Sequence, residues 1–317
     1  MVALVRPSIL IVHSDRKTQR VVQRILGVVG HAIDVADDFD QGIRLIQHLQ
    51  PVLIVVDGSS VTSPKAQEFF AAAKARGAEA VMSLIGASAF AEALPSILAT
   101  NAITNLLVHP MPMLNEELAI TAQKLIRGDL FGAEKYLLWG TTLEDITLKR
   151  ARQRVDLVQQ LAEQVRARNQ SARAASTAML VADELISNAV HNAPVDREGT
   201  HYRANLPRDT DFDLDEPHRV RLRWGCDARY LAIEVTDYFG SLDRETITRS
   251  LGRDEVRETG EGAGMGIALA YRSCDHLIFN LAPGRITEII ALVDVRYPPS
   301  ERMNASSYNV FVERPAK

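Results

Sequence analysis

From Pro7 to about Arg127, short β-branched runs alternate with stretches whose apolar residues recur at helical spacing. The runs are Ile9–Val12, Ala32–Val35, Val52–Val56, Ala80–Ile85 and Asn105–Val108. Between them lie segments such as Lys17–Leu26, which places Val21, Val22, Ile25 and Leu26 on one face, and the series closes with Glu116–Ile126. Strands interleaved with helices predict an α/β doubly wound parallel sheet whose functional edge lies at the carboxyl ends of the strands. Asp15, Asp57 and His109 stand at that edge.

The alternation stops over residues 128–147, where Gly128, Gly132 and Gly140 interrupt the pattern. A domain boundary is therefore expected near residue 130, giving units 1–130 and 131–317. Beyond it, Val155, Val158, Leu161 and Val165 have helix spacing. A second helix is predicted from about Ala172 to Asn192, with Met179, Ala182, Ile186, Ala189 and Val190 on its apolar face. Residues 194–217 are polar and acidic and read as a long solvated loop. Period-two alternation returns in Val220, Leu222 and Trp224 and in Leu231, Ile233 and Val235, as for an antiparallel pair with one buried face. Strands His276–Leu281 and Thr287–Val295 flank the turn Ala282-Pro-Gly-Arg285, and Tyr308–Val312 reads as a further edge strand. The second half is thus predicted to be α+β, helices on one side of a mixed or antiparallel sheet.

Composition narrows the function classes. The chain is 46% hydrophobic and 24% charged with a net charge of −4, which gives no electrostatic footprint for nucleic acid. No stretch reaches the roughly 18 uninterrupted apolar residues of a membrane span, and the beginning lacks a signal peptide's apolar run and cleavage site, so a cytoplasmic protein is expected. Cys226 and Cys274 lie in apolar-patterned segments without metal-ligand spacing and read as buried free thiols. A protein partner and a small anion are the expected ligands, with the first domain offering a docking or homodimerisation surface.

Candidate chemistry concentrates in Asp183-Glu184-Leu-Ile-Ser-Asn188-Ala-Val-His191-Asn192 and Gly262-Ala-Gly264-Met-Gly266. On a helix Glu184 and Asn188 share a face, which suits a general base beside an oxygen ligand for Mg²⁺. The glycines would let backbone N–H groups close around phosphate oxygens at a helix start. Taken singly, each element also has a plain reading: an exposed polar pair, a flexible loop, and, for Asp237 at a strand end, a turn former.

Their order, with Val235-Thr236-Asp237 between them, resembles the GHKL ATP-binding superfamily over roughly residues 145–312, and the Asp-Glu-Leu-Ile-Ser-Asn-Ala form looks most like anti-sigma-factor serine kinases. The resemblance implies an α+β two-layer sandwich that binds ATP and Mg²⁺. Asn188 would be the Mg²⁺ ligand, Glu184 the base and Asp237 the acceptor of the adenine amino group. Gly262, Gly264 and Gly266 would shape lid and phosphate cradle, Thr287 would support the adenine contact, and His191 and Asn192 would line the phosphate side. The superfamily's first glycine box, Asp-x-Gly-x-Gly, is here Asp237-Tyr-Phe-Gly240-Ser. No histidine occurs from Ile146 to Ser176, which argues against autophosphorylation of the histidine-kinase kind. A serine/threonine kinase or anti-sigma-like switch acting on a protein partner is the expectation, with a non-catalytic ATP-binding scaffold as the alternative.

The first half, through Ile9-Leu-Ile-Val-His-Ser-Asp15 and Val52-Leu-Ile-Val-Val-Asp57, resembles a response-regulator receiver over roughly residues 7–127. Asp57 falls at the phospho-acceptor position. Where an acidic pair is expected the chain has His13 and Ser14, and where Lys-Pro is expected it has His109-Pro110, so a pseudo-receiver is implied.

Overall fold

A computed structural model describes residues 7–78, 80–100, 102–109, 115–168, 170–252, 265–296 and 305–313. The chain forms two compact units, Met1–Asp129 and Leu130–Lys317.

In the first unit the strands are β1 (Pro7–Val12), β2 (Ala32–Ala36), β3 (Gln50–Asp57), β4 (Val81–Gly86) and β5 (Asn105–His109). They alternate with α1 (Arg16–Leu26), α2 (Phe39–Ile46), α3 (Pro64–Ala75), α4 (Ala87–Ala99) and α5 (Asn115–Arg127). Neighbouring strands run parallel in the order β2-β1-β3-β4-β5. That order is the one response-regulator receivers adopt, with the first crossover turning back to place β2 at one edge. Ile9, Ile11, Leu53, Val55, Met82, Leu84 and Leu107 form one core with Val22, Ile25 and Leu26 of α1 and Leu118 and Ala122 of α5. On α2 and α3, Phe39, Phe69 and Phe70 form an aromatic cluster with ring centroids 5.4–6.0 Å apart. The alternating pleat divides the strand residues between two helix layers.

The second unit is a mixed sheet in the order β11-β9-β10-β8-β7-β6, comprising β6 (Glu144–Leu148), β7 (Val220–Cys226), β8 (Tyr230–Asp237), β9 (His276–Ala282), β10 (Ile286–Asp294) and β11 (Ser307–Val312). β11 runs parallel to β9, and the other pairs are antiparallel. The helices are α6 (Gln153–Ala167), α7 (Ala172–Ser187), α8 (Arg244–Leu251) and α9 (Met265–Ser273). α7 packs on β8 and β10 and against α6 and α9. Trp224 Nε1 donates to Gln164 Oε1 of α6 (3.0 Å), so α6 covers the sheet face that also carries Ile233, Trp224's cross-strand neighbour. No helix among the described residues is long and apolar enough to cross a membrane.

Several expectations need correction. β8 is buried along its whole length rather than on one face. Its second face carries Glu234, only 1% exposed, which accepts from Ala133 N (2.8 Å) and pairs with Arg223 (3.1 Å). On the adjacent strand Glu288 accepts from Gly132 N (2.9 Å) and Asn280 Nδ2 (2.7 Å), so the segment after the domain boundary is latched onto that face by carboxylates. β6 arises where only irregular chain was expected, because Ile146 and Leu148 supply its inward side against Leu222 and Val220. On α6 the buried stripe is Leu157, Val158, Leu161, Ala162 and Val165, while Val155 points outward. Cys274 is buried, but Cys226 is only half-buried; both are free. The acidic loop is pinned rather than solvated throughout. Asp211 accepts from Arg150 and from Arg152 N, Phe212 O accepts from Ala151 N (2.9 Å), and Leu214, 3% exposed, donates through its N to Lys149 O (2.8 Å).

Candidate functional site

α7 begins at Ser171, whose Oγ accepts from Ala174 N (3.1 Å), and its alanine-rich sequence favours helix without crowding the neighbouring α6 and α9. Its buried stripe includes Ala175, Ala178, Val181, Ala182, Leu185 and Ile186. At Asn188 the helix widens into a π turn, Asn188–Asn192, followed by Ala193 N donating to Asn188 O (2.9 Å). Such single π turns displace side chains from the regular helical register and recur at functional sites. This one falls on Asn188, His191 and Asn192.

Glu184 and Asn188 therefore meet different surroundings. The Glu184 side chain is 13% exposed, and both its oxygens accept from Arg208 Nη1 (3.1 and 3.3 Å). It also lies against the start of α9, where a Cβ at Gly266 would collide with Oε2. Asn188 Oδ1 accepts from Asn192 Nδ2 (3.3 Å). His191 is 4% exposed and sits edge-on to Phe212, with ring centroids 5.8 Å apart. Its Nδ1 has no hydrogen-bond partner. Burial pushes its pKa below the ordinary imidazole value, and the nearby positive charges of Arg154, Arg208 and Arg203 push it further the same way.

At the end of β8, Asp237 is 3% exposed. Its Oδ1 accepts from Phe239 N (3.0 Å) and Gly240 N (3.3 Å). Burial raises its pKa to about 6, although those amides and the Thr287 hydroxyl pull the other way. Thr287 lies directly across the ladder from Asp237, and its buried hydroxyl has that carboxyl as its neighbour. A buried carboxyl beside a buried hydroxyl presents both acceptor and donor capacity to the edge of a ligand.

Gly240 adopts a positive φ of 59° and packs under the β9–β10 turn, so a Cβ there would collide with the backbone of Arg285 and Ala282. The departure from the expected glycine box also has a packing reason: Phe239 stacks on His218, with centroids 4.8 Å apart. Ser241 Oγ donates to Ala193 O (2.7 Å), tying the loop after β8 to the end of the π turn. The structure thus brings Glu184 and Gly266 into contact, joins Asn188 to Asn192, sets Asp237 opposite Thr287, and ties the loop after β8 to Ala193 through Ser241. Gly262 and Gly264 lie outside the described residues. Arg208, Ser241 and Phe239 were not anticipated. The only signal for Arg208 was a positive charge among the loop's acids, which it shares with Arg197 and Arg203.

At the receiver-like edge, Asp15 caps α1, its carboxylate accepting from Lys17 N, Thr18 N and Thr18 Oγ1 (3.2, 2.9 and 2.6 Å). The Thr18 hydroxyl and amide, with the Lys17 amide, hold its carboxyl below the usual range. Asp57 Oδ1 accepts from Ser59 N (2.9 Å) and Ser59 Oγ (2.7 Å).

No protein-family model matches the chain, and no curated protein does either. Solved structures resembling it include the signal receiver domain of an HD domain-containing protein from Pseudomonas fluorescens Pf-5, at 16% identity over 39% of this chain and 96% of that one, TM-score 0.33. A response regulator receiver domain protein from Clostridium thermocellum matches at 16% identity over 38% and 95%, TM-score 0.31. The response regulator LqsR of Legionella pneumophila matches at 11% identity over 93% and 90%, TM-score 0.30. The receiver-like description of the first unit rests on its own parallel strand order.

Proposed function

We propose that this is a signalling protein whose second unit binds Mg-ATP in the manner of the GHKL superfamily, with the receiver-like unit as its regulatory or docking partner in the same chain. The observation that carries the reading is the buried Asp237 carboxyl set directly beside the buried Thr287 hydroxyl at the end of the β8–β10 ladder. An adenine edge offers an amino donor and ring-nitrogen acceptors, which would satisfy both groups. Asn188 would hold Mg²⁺, whose positive charge would neutralise and orient the phosphate oxygens. Glu184 would orient the attacking hydroxyl or water, and His191 and Asn192 would border the phosphates. As a kinase or anti-sigma-like switch, the protein would act on a serine or threonine of a separate protein, because the helical stretch before the site offers no histidine acceptor.

A second reading, ATP binding without turnover, is favoured by one observation: Glu184 is already paired with Arg208 and pressed against α9. Thermal melting of the full chain and incubation with γ-labelled ATP test both. Ligand at about a hundred times Kd stabilises by ~2.7 kcal/mol, a rise of several degrees. No rise at millimolar Mg-ATP would refute the nucleotide site. Binding retained with turnover abolished in Glu184→Gln would support the kinase or ATPase form, whereas wild-type protein that binds and never turns over would support the scaffold.

A further inference from the structure

Residues 194–217 form a strap between α7 and β7 whose arginines are unevenly satisfied. Arg154 of α6 pairs with Asp183 and donates through Nη2 to Arg208 O (3.3 Å), fixing the strap's backbone beside α7. Arg208 is 47% exposed and engages Glu184 through Nη1 alone. Arg203 has no carboxylate or carbonyl partner among the described residues. Its guanidinium stacks on Phe212 (4.7 Å to the ring centroid) and Tyr202 (5.3 Å), while its buried Nη1 lacks any acceptor. Phe212 in turn meets the edge of His191, 4% exposed, whose Nδ1 is also without a partner.

A buried guanidinium nitrogen without an acceptor is unfavourable, and the stack that orients it leaves its in-plane donors for a planar or tetrahedral anion. We propose that the strap supplies a phosphate-binding subsite, in which Arg203 and Arg208 receive the terminal phosphate of a nucleoside triphosphate lying beside Glu184. The subsite rests on the nucleotide reading above and adds what that reading lacks, residues that tell a triphosphate from a diphosphate. On binding, Arg208 would exchange one of its Glu184 contacts for a phosphate oxygen, freeing the carboxylate.

Isothermal titration of the full chain with Mg-ATP, Mg-ADP and inorganic tripolyphosphate tests this, using wild type, Arg203→Gln and Arg208→Gln, with Arg208→Lys as a variant that keeps the charge at Glu184. A charge-assisted hydrogen bond corresponds to about tenfold or more in affinity. Wild type is expected to bind ATP more tightly than ADP. Each Gln variant should lose about tenfold or more for ATP and less than about threefold for ADP, and Arg208→Lys should fall between. Folded variants that bind ATP within about twofold of wild type would overturn the subsite and leave the nucleotide site standing. Arginine-dependent tripolyphosphate binding without nucleotide binding would keep the anion site and refute the adenine assignment. If wild type binds none of the three, both fall.

Discussion

Asp237 is a carboxyl group removed from water at the end of a central strand, and its pKa of about 6 makes it a reporter of the site. Below the ordinary carboxylate range, folded and unfolded chains both hold its proton and it contributes nothing to pH dependence. Between about pH 4 and pH 6 the unfolded chain has released that proton while the folded chain retains it, so stability falls through this window. Above pH 6 the loss is complete, and the shift corresponds to about 3 kcal/mol as an upper bound. Denaturant titrations at pH 4.5 and 7 should therefore differ less in Asp237→Asn than in wild type. The same ionisation should strengthen binding of an amino donor, so ATP affinity should rise with pH through about 6 and lose that dependence in the variant. An ATP affinity flat from pH 5 to 7 in wild type would remove Asp237 from the adenine contact. Its sequence position signalled a strand-end acid, and the resemblance named Thr287 for the same adenine contact, but its burial was not legible, because that depends on the β8–β10 register.

The elements divide by whether local pattern or tertiary contact creates them. The strands of the first unit and α7 follow from apolar periodicity and were readable. β6 was not, since Glu144-Asp-Ile-Thr-Leu148 offers few apolar positions and becomes a strand only beside β7. The inward acid Glu234 escaped notice because alternation assigns polar residues to solvent, whereas the 130–137 segment covers that face and supplies amides and Arg223 supplies a cation. The π turn depends on a hydrogen-bond shift that no residue spacing reveals. Two glycines test the distinction between backbone need and side-chain clearance. At Gly240 a Cβ meets fixed backbone and the φ is 59°, so Gly240→Ala should destabilise by about 2–4 kcal/mol. At Gly266 the obstacle is the carboxylate of Glu184, which can rotate away, so Gly266→Ala should cost less than about 1 kcal/mol while disturbing the Arg208 pair. Urea denaturation of both variants measures the contrast, and equal losses would contradict it.

At the scale of the whole chain, a receiver-like unit and a candidate nucleotide-binding unit are joined in one polypeptide, and the chemistry available to the first limits how it can signal. An aspartyl phosphate requires a metal and cationic groups to compensate its charge. After β1 this chain presents His13 and Ser14, and the neighbouring Asp15 has its carboxylate committed to Lys17 and Thr18 at the head of α1. Asp57 itself is occupied by the amide and hydroxyl of Ser59. Turning that carboxylate toward a phosphodonor would break both contacts without a nearby acidic pair to recruit Mg²⁺. Acetyl phosphate with Mg²⁺ should therefore add no mass at Asp57 in the full chain, and Asp57→Asn should leave ATP affinity within about twofold of wild type. A ligand or modification with no preference between two states shifts neither, so the unit would act through the surface it presents. A Mg²⁺-dependent, hydroxylamine-labile phosphate on Asp57 would overturn this, and a matching change in ATP affinity would establish a phosphorylation switch instead.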